Sequence, residues 1–268
     1  MDRVADYVLL REVGRGAHGR VFLARAPERL GLPDPQVAVK VLSAPTDDDG
    51  LEAVAEELAV YADVGAPGLL RLYEVGLQDA TVFYAMRHEP LGSLAAPANP
   101  LSRAQVLAAV ATAARAVHAL HEAGQAHRAE KPANVLLGRG GAVLAEPAVA
   151  HLLARGHPLT GVGTRGDARD LEYLDPRLVQ GREPGRASDV WALGVTQHAA
   201  LTGSGLYPAL TSADPMVAMR MYLRSQPEPD ADLSDAERGV VLHALRPDPA
   251  DRYATAEDFA RDLERVAA

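Results

Sequence analysis

The spacing of apolar residues changes once along this 268-residue chain, near residue 88. Before that point short segments alternate or run β-branched: Tyr7–Val13, Val21–Ala24, Val37–Leu42, Leu69–Val75 and Thr81–Met86. Such segments, bounded by Gly, Pro and Asp, predict strands. One helix interrupts them at Leu51–Asp63, where Leu51, Val54, Leu58 and Tyr61 recur at helical spacing. Asp47, Asp48 and Asp49 precede it, and negative charge favours a helix N-terminus. After His88-Glu89-Pro90 the period becomes helical, first in Gln105–Ala123 with Val106, Val110 and Val117 on one face. Strand-like pieces follow at Val135-Leu136-Leu137 and Val143-Leu144. A Gly-, Pro- and Arg-rich stretch covers 147–185, and helical spacing resumes to the end. The pattern predicts an α+β protein with a small antiparallel sheet and one main helix in residues 1–86. A hinge at 87–90 and a larger, mostly helical part at 91–268 complete it, and no internal repeat is visible.

Composition removes several functions. Basic residues number 27 against 36 acidic ones, a net charge of −9 that would repel a nucleic-acid backbone. There are no cysteines, which excludes disulfides, thiolate metal sites and a cysteine nucleophile. No apolar run approaches the roughly 18–20 residues that cross a bilayer, and Met1-Asp2-Arg3 does not open a signal peptide, so a cytoplasmic protein is expected. Of the 27 basic residues all but Lys40 and Lys131 are arginine. Lys is a compact point charge and Arg a planar fork, so a chain that keeps Lys at two places marks them as candidate sites.

Gly14-x-Gly16-x-x-Gly19 joins two predicted strands, whereas a dinucleotide-binding turn would open a helix. A glycine-rich β-turn can lie over phosphates, because backbone N–H groups approach closely where no Cβ intervenes. Val37-Ala38-Val39-Lys40 follows, then Glu57 on the helix, nine residues before Ala66-Pro67. Further on stand His127-Arg128-Ala129-Glu130-Lys131-Pro132-Ala133-Asn134, then Asp189-Val190-Trp191-Ala192-Leu193-Gly194, and finally Arg246-Pro247-x-Pro249-x-x-Arg252. In this order and at these separations the segments resemble the Ser/Thr protein kinases of bacteria, of the actinobacterial type, over residues 7–265.

The resemblance implies a bilobal protein-kinase-like fold and a nucleotide, ATP or ADP, as ligand. It assigns nucleotide contacts to Gly14, Gly16, Gly19, Val21, Ala38, Lys40, Glu57, Met86, Arg87, Glu89, Lys131, Asn134 and Leu136. Lys40 would hold phosphates and be oriented by Glu57. Met86 takes the gatekeeper place, and the adenine would meet the backbone near Arg87 and Glu89. A spine of Leu72, Tyr61, Pro147 and His127 would stand beneath the helix. Asp189 would tie down the backbone of the 127–134 loop.

Three departures bear on chemistry. Ala129 stands where the proton-accepting Asp is expected, and losing a positioned general base costs about 10²–10⁴ in rate. Glu146-Pro147-Ala148 replaces the metal-binding Asp-Phe-Gly, so Mg²⁺ held by Asn134 and Glu146 should be weakened or absent. Asp175-Pro176-Arg177 reverses the charge that pairs with the arginine matched by Arg252, unless a carboxylate such as Asp175 takes over. A pseudokinase is therefore expected: a regulatory or scaffolding module that binds ATP or ADP, with phosphoryl transfer absent or residual, acting through an unidentified protein partner. The alternative is an active Ser/Thr protein kinase with a displaced carboxylate, Glu130 or Asp170, as base. Asp170 is also placed as a fixed negative charge near Lys131. Thr160 and Thr164 lie in the activation-segment region, and Arg128 is kept where the family docks a phosphothreonine.

Overall fold

A computed structural model describes residues 3–16, 19–145, 168–208, 210 and 214–268. The chain divides into two units, one holding residues 3–65 and 70–88, the other 66–69, 89–145 and the described residues from 168 onward. Residues 66–69 group with the second unit because Leu69 bridges Leu144 and the Leu144 N–H donates to Gly68 O at 2.7 Å. The predicted strand Leu69–Val75 accordingly begins three residues later.

In the first unit, β1 (Arg3–Val4), β2 (Tyr7–Gly16), β3 (Gly19–Arg25), β4 (Gln36–Pro45), β5 (Leu72–Gln78) and β6 (Thr81–Arg87) form one antiparallel sheet, ordered β1-β2-β3-β4-β6-β5. Side chains alternate between the faces of a strand, which sorts β4 into two sets. Val37 and Val39 join Val4, Tyr7, Ala24, Phe83 and Ala85 in a buried cluster. Ala38, Lys40 and Leu42 have the opposite parity. Helix α1 (Asp48–Val64) starts on Asp47, whose carboxylate accepts from the Gly50 N–H at 3.0 Å, and stops at Gly65, which is left-handed with φ 52°. Val54, Leu58 and Tyr61 are buried as the spacing predicts, whereas Leu51 is half-buried. The Tyr61 hydroxyl accepts from the Leu70 N–H at 3.1 Å, tying α1 to the approach to β5.

In the second unit, α2 (Arg103–Glu122) is held at its start by reciprocal bonds between Ser102 and Gln105. Its many alanines let neighbours pack on more than one side, and Val106, Val110, Val117 and Leu120 are buried. Short strands β7 (Gly92–Ser93), β8 (Ala96–Pro97), β9 (Val135–Gly138) and β10 (Gly141–Leu144) make a second sheet, ordered β10-β9-β7-β8. The helices that follow are α3 (Pro176–Val179), α4 (Arg186–Thr202), α5 (Pro215–Arg224), α6 (Asp235–Ala244) and α7 (Ala256–Ala267). The core of this unit is α4, buried continuously from Ser188 to His198, with α2 packed on both α4 and α7. Among the described residues no helix is long and apolar enough to cross a membrane.

The hairpin β2–β3 brings Gly16 opposite Gly19, and Gly19 has a steric reason to be glycine that Gly14 lacks. A Cβ there would collide with Val41 O on β4, whereas one at Gly14 would meet Val21 at an ordinary 3.7 Å. Gly19→Ala should therefore destabilise the protein by about 1–3 kcal/mol through the forced backbone shift. Gly14→Ala should leave the denaturant midpoint nearly unchanged, and equilibrium unfolding of the two variants checks the contrast.

Candidate functional site

In the first unit the sheet register gathers the expected nucleotide residues on one face. Gly14, Val21, Lys40 and Tyr84 are successive cross-strand partners through β2, β3, β4 and β6. The neighbouring row runs Leu23, Ala38, Met86 and Leu72. Paired residues share a face, so Gly14, Val21, Ala38, Lys40 and Met86 stand together. Lys40 is 5% exposed, and its ammonium lies 6.0 Å from the centroid of the buried Tyr84 ring, within cation–π range. On α1, Glu57 is half-buried while Glu56 is exposed. The Arg87 N–H donates to Arg71 O at 2.9 Å, so that hinge donor is already spent. The expectation for adenine then rests on the Arg87 carbonyl and the Glu89 amide.

The second unit holds the loop 127–134. Asp189, fully buried on α4, accepts from the His127 N–H at 2.8 Å and the Arg128 N–H at 3.1 Å. The His121 Nε2–H donates to the same carboxylate at 2.8 Å. These bonds hold Arg128 in the left-handed region, φ 66°, a conformation that costs a residue with a Cβ. The Asn134 side-chain amide donates to Ala129 O at 2.7 Å. Position 129 is therefore fixed in place, and its side chain is a methyl group. Leu136, on β9, is half-buried and pairs with Val143. Glu89 is half-buried against Gly138, where a Cβ would collide with its carboxylate.

The two carboxylates considered as substitutes part company. Glu130 is 1% exposed, and neither oxygen has a hydrogen-bond partner among the described residues. His127 Nδ1 lies 3.7 Å from its Oε1. Burial, with the Asp189 charge second, holds the Glu130 carboxyl well above the usual carboxylate range. In its neutral form it sits beside Asp189 without repelling it. Glu130 is thus withdrawn from solvent. Asp170, on the 3-10 helix Ala168–Tyr173, is exposed, with Oδ1 3.5 Å from Lys131 Nζ.

The expected clash of arginines does not arise. Asp175 Oδ2 lies 2.5 Å from Arg252 Nη1, and both side chains are buried. Asp175 Oδ1 accepts from the Arg177 N–H at 3.0 Å, so one side chain caps α3 and neutralises Arg252. Arg252 also donates to the carbonyls of Arg246 and Ala187, each at 2.8 Å, and stacks over Trp191 at 5.0 Å. The acidic partner has moved two residues toward the N-terminus while the arginine stayed.

Glu146, Pro147, Thr160 and Thr164 lie outside the described residues, as do residues 17–18. His121 escaped the sequence reading, although a signal was present: it falls four residues after Val117 on the apolar stripe of α2. A histidine on such a stripe needs a buried partner, and Asp189 is that partner.

With this geometry in view, comparison with known proteins is direct. The chain matches the protein kinase domain over residues 7–262 and belongs to that family. The sheet-plus-helix first unit and helical second unit are its fold. Serine/threonine-protein kinase PknK of Mycobacterium tuberculosis is 33% identical over 276 aligned positions, covering 98% of this chain and 24% of PknK. PknJ of the same organism is 30% identical over 96% of this chain and 44% of its own length. The chain thus spans a quarter to under half of these relatives. The crystal structure of the M. tuberculosis PknI kinase domain superposes with a TM-score of 0.71 at 26% identity, covering 97% of this chain and 95% of that one.

Three substitutions at two positions probe the buried charges. In the unfolded chain the Glu130 carboxyl ionises near 4.5, while in the fold it stays neutral to higher pH, so folding takes up a proton and stability falls as pH rises from that value. Glu130→Gln removes this dependence. The melting temperature of wild type relative to Glu130→Gln should therefore drop as pH rises above about 4.5. Glu130→Leu should gain about 1–3 kcal/mol at neutral pH by removing the unsatisfied carboxyl. Asp175→Ala strands Arg252 in the core and should cost about 3–5 kcal/mol in chemical denaturation.

Proposed function

We propose that this protein is a pseudokinase, a kinase-family domain that binds ATP or ADP while phosphoryl transfer is absent or residual. The observation that carries the reading is the pair Ala129 and Glu130. Asn134 holds position 129 in place with a methyl group at the site of the expected proton acceptor, and the adjacent carboxyl is buried, which raises its pKa. Transfer in this family depends on positioning and electrostatics, and a missing general base costs about 10²–10⁴. The nucleotide-binding assignment is supported by Gly14, Val21, Ala38, Lys40 and Met86 sharing one sheet face, and by Lys131 and Asn134 on a loop secured by Asp189. Gly16, Gly19, Glu57, Arg87, Glu89 and Leu136 complete the proposed contacts.

The family binds ATP with Mg²⁺, which when bound neutralises phosphate charge. Here Asn134 supplies a neutral amide, and Glu146, its expected partner, lies outside the described residues. We assign the charge neutralisation to Lys40 and Lys131 instead, so that binding depends little on Mg²⁺. The protein then acts through its nucleotide-stabilised conformation on a protein partner, as a regulatory or scaffolding module.

A second reading, an active Ser/Thr protein kinase, draws on the exposed Asp170 carboxylate beside Lys131. Calorimetric titration with ATP and ADP, with and without Mg²⁺, and a labelled-phosphate transfer assay separate the two. The pseudokinase reading expects binding, about tenfold or more weaker in Lys40→Met, with no transfer above background. Brisk transfer lost in both Lys40→Met and Asp170→Asn establishes the second reading, and wild-type protein that binds neither nucleotide refutes both.

A further inference from the structure

Lys40 and Lys131 rest in different states. Lys40 is enclosed in the sheet, whereas Lys131 is about a third exposed and faces the Asp170 carboxylate at 3.5 Å. The two members of that ion pair are mounted differently. Asp170 belongs to the 3-10 helix Ala168–Tyr173, whose C-terminal half is fixed from several sides. The Trp191 indole N–H donates to Glu172 O at 3.0 Å, Glu172 Oε2 accepts from the Leu206 N–H at 2.8 Å, and the Tyr222 hydroxyl donates to Leu174 O. Asp170 is thus a short carboxylate on a fixed support. Lys131 carries its charge on a flexible four-carbon stem, so it is the member that can change partners.

We propose that Asp170 is a built-in counter-ion of Lys131, and that a nucleoside polyphosphate binds by displacing it. This inference rests on the nucleotide-binding reading and adds to it how the site is regulated. Without nucleotide the Lys131 charge is satisfied internally, which keeps the 127–134 loop from attracting small anions indiscriminately. A ligand must bring enough negative charge to outbid a carboxylate. Occupancy also frees the Asp170 carboxylate at the start of its helix. Exposed ion pairs of this kind contribute about 0.2–1 kcal/mol, which as competition amounts to about a 1.4- to 5-fold effect on affinity.

A double-mutant cycle read by calorimetry tests the proposal, with ATP as the probe and adenosine as its uncharged counterpart, in EDTA and in parallel with MgCl₂. Trp191 is the chain's single tryptophan and bonds to the helix that bears Asp170, so its unchanged emission certifies that each variant keeps the support intact. Asp170→Asn should tighten ATP by about 1.4- to 5-fold and leave adenosine unaffected. Lys131→Gln should weaken ATP, and adding Asp170→Asn to it should then change little. Equal tightening by Asp170→Asn with and without Lys131 would indicate plain repulsion and overturn the exchange, as would an unchanged or weakened ATP affinity. Wild-type protein that is folded by Trp191 emission yet binds neither ATP nor adenosine defeats the nucleotide reading itself, and the exchange with it.

Discussion

The buried Asp189 carboxylate is the interaction on which the second unit's chemistry depends. It receives two backbone N–H groups from the 127–134 loop and the His121 imidazole from α2, and it is carried on the most deeply buried helix of the unit. A carboxylate with this many donors is expensive to disturb, because any lost partner leaves buried charge unsatisfied. The loop is therefore fixed whether or not it performs catalysis. Arg128 keeps its left-handed backbone and Asn134 still bonds to Ala129, so the scaffold of a transfer site persists around a methyl group.

Acidic side chains around that scaffold have been redistributed. Asp175 neutralises Arg252 from two residues before the usual position, and one buried ion pair with two further carbonyl bonds keeps Arg252 tolerable in the core. Asp170 confronts Lys131 at the surface, where solvent screens the pair and makes it exchangeable. Glu130 goes the other way, into the interior, where burial and the Asp189 charge raise its pKa. Three carboxylates within 46 residues thus have three different electrostatic fates, decided by burial and by the nearest cation.

Much of the fold was legible because its signals are local. Alternation in Val37–Leu42, the aspartates before α1 and the valine stripe of α2 each specify an element through its own residues. The boundary at Leu69 was not legible, since Leu69 leaves the strand pattern to bridge Leu144, 75 residues away. In the candidate site, the face shared by Val21, Ala38, Lys40 and Met86 follows from parity once the strand order is known. The fate of Glu130 was invisible: a glutamate next to a lysine reads as solvated, and only packing buries it.

From the chain itself come the elements, the family and the identity of the residue at each chemical position, the methyl of Ala129 included, because these depend on side-chain type and spacing along a line. The tertiary structure decided which charges meet: Asp175 with Arg252, Asp170 with Lys131, His121 with Asp189, and Glu130 with His127 and the Asp189 charge in the interior. Coulombic and desolvation energies depend on distance and enclosure in space, and neither quantity is written in sequence separation.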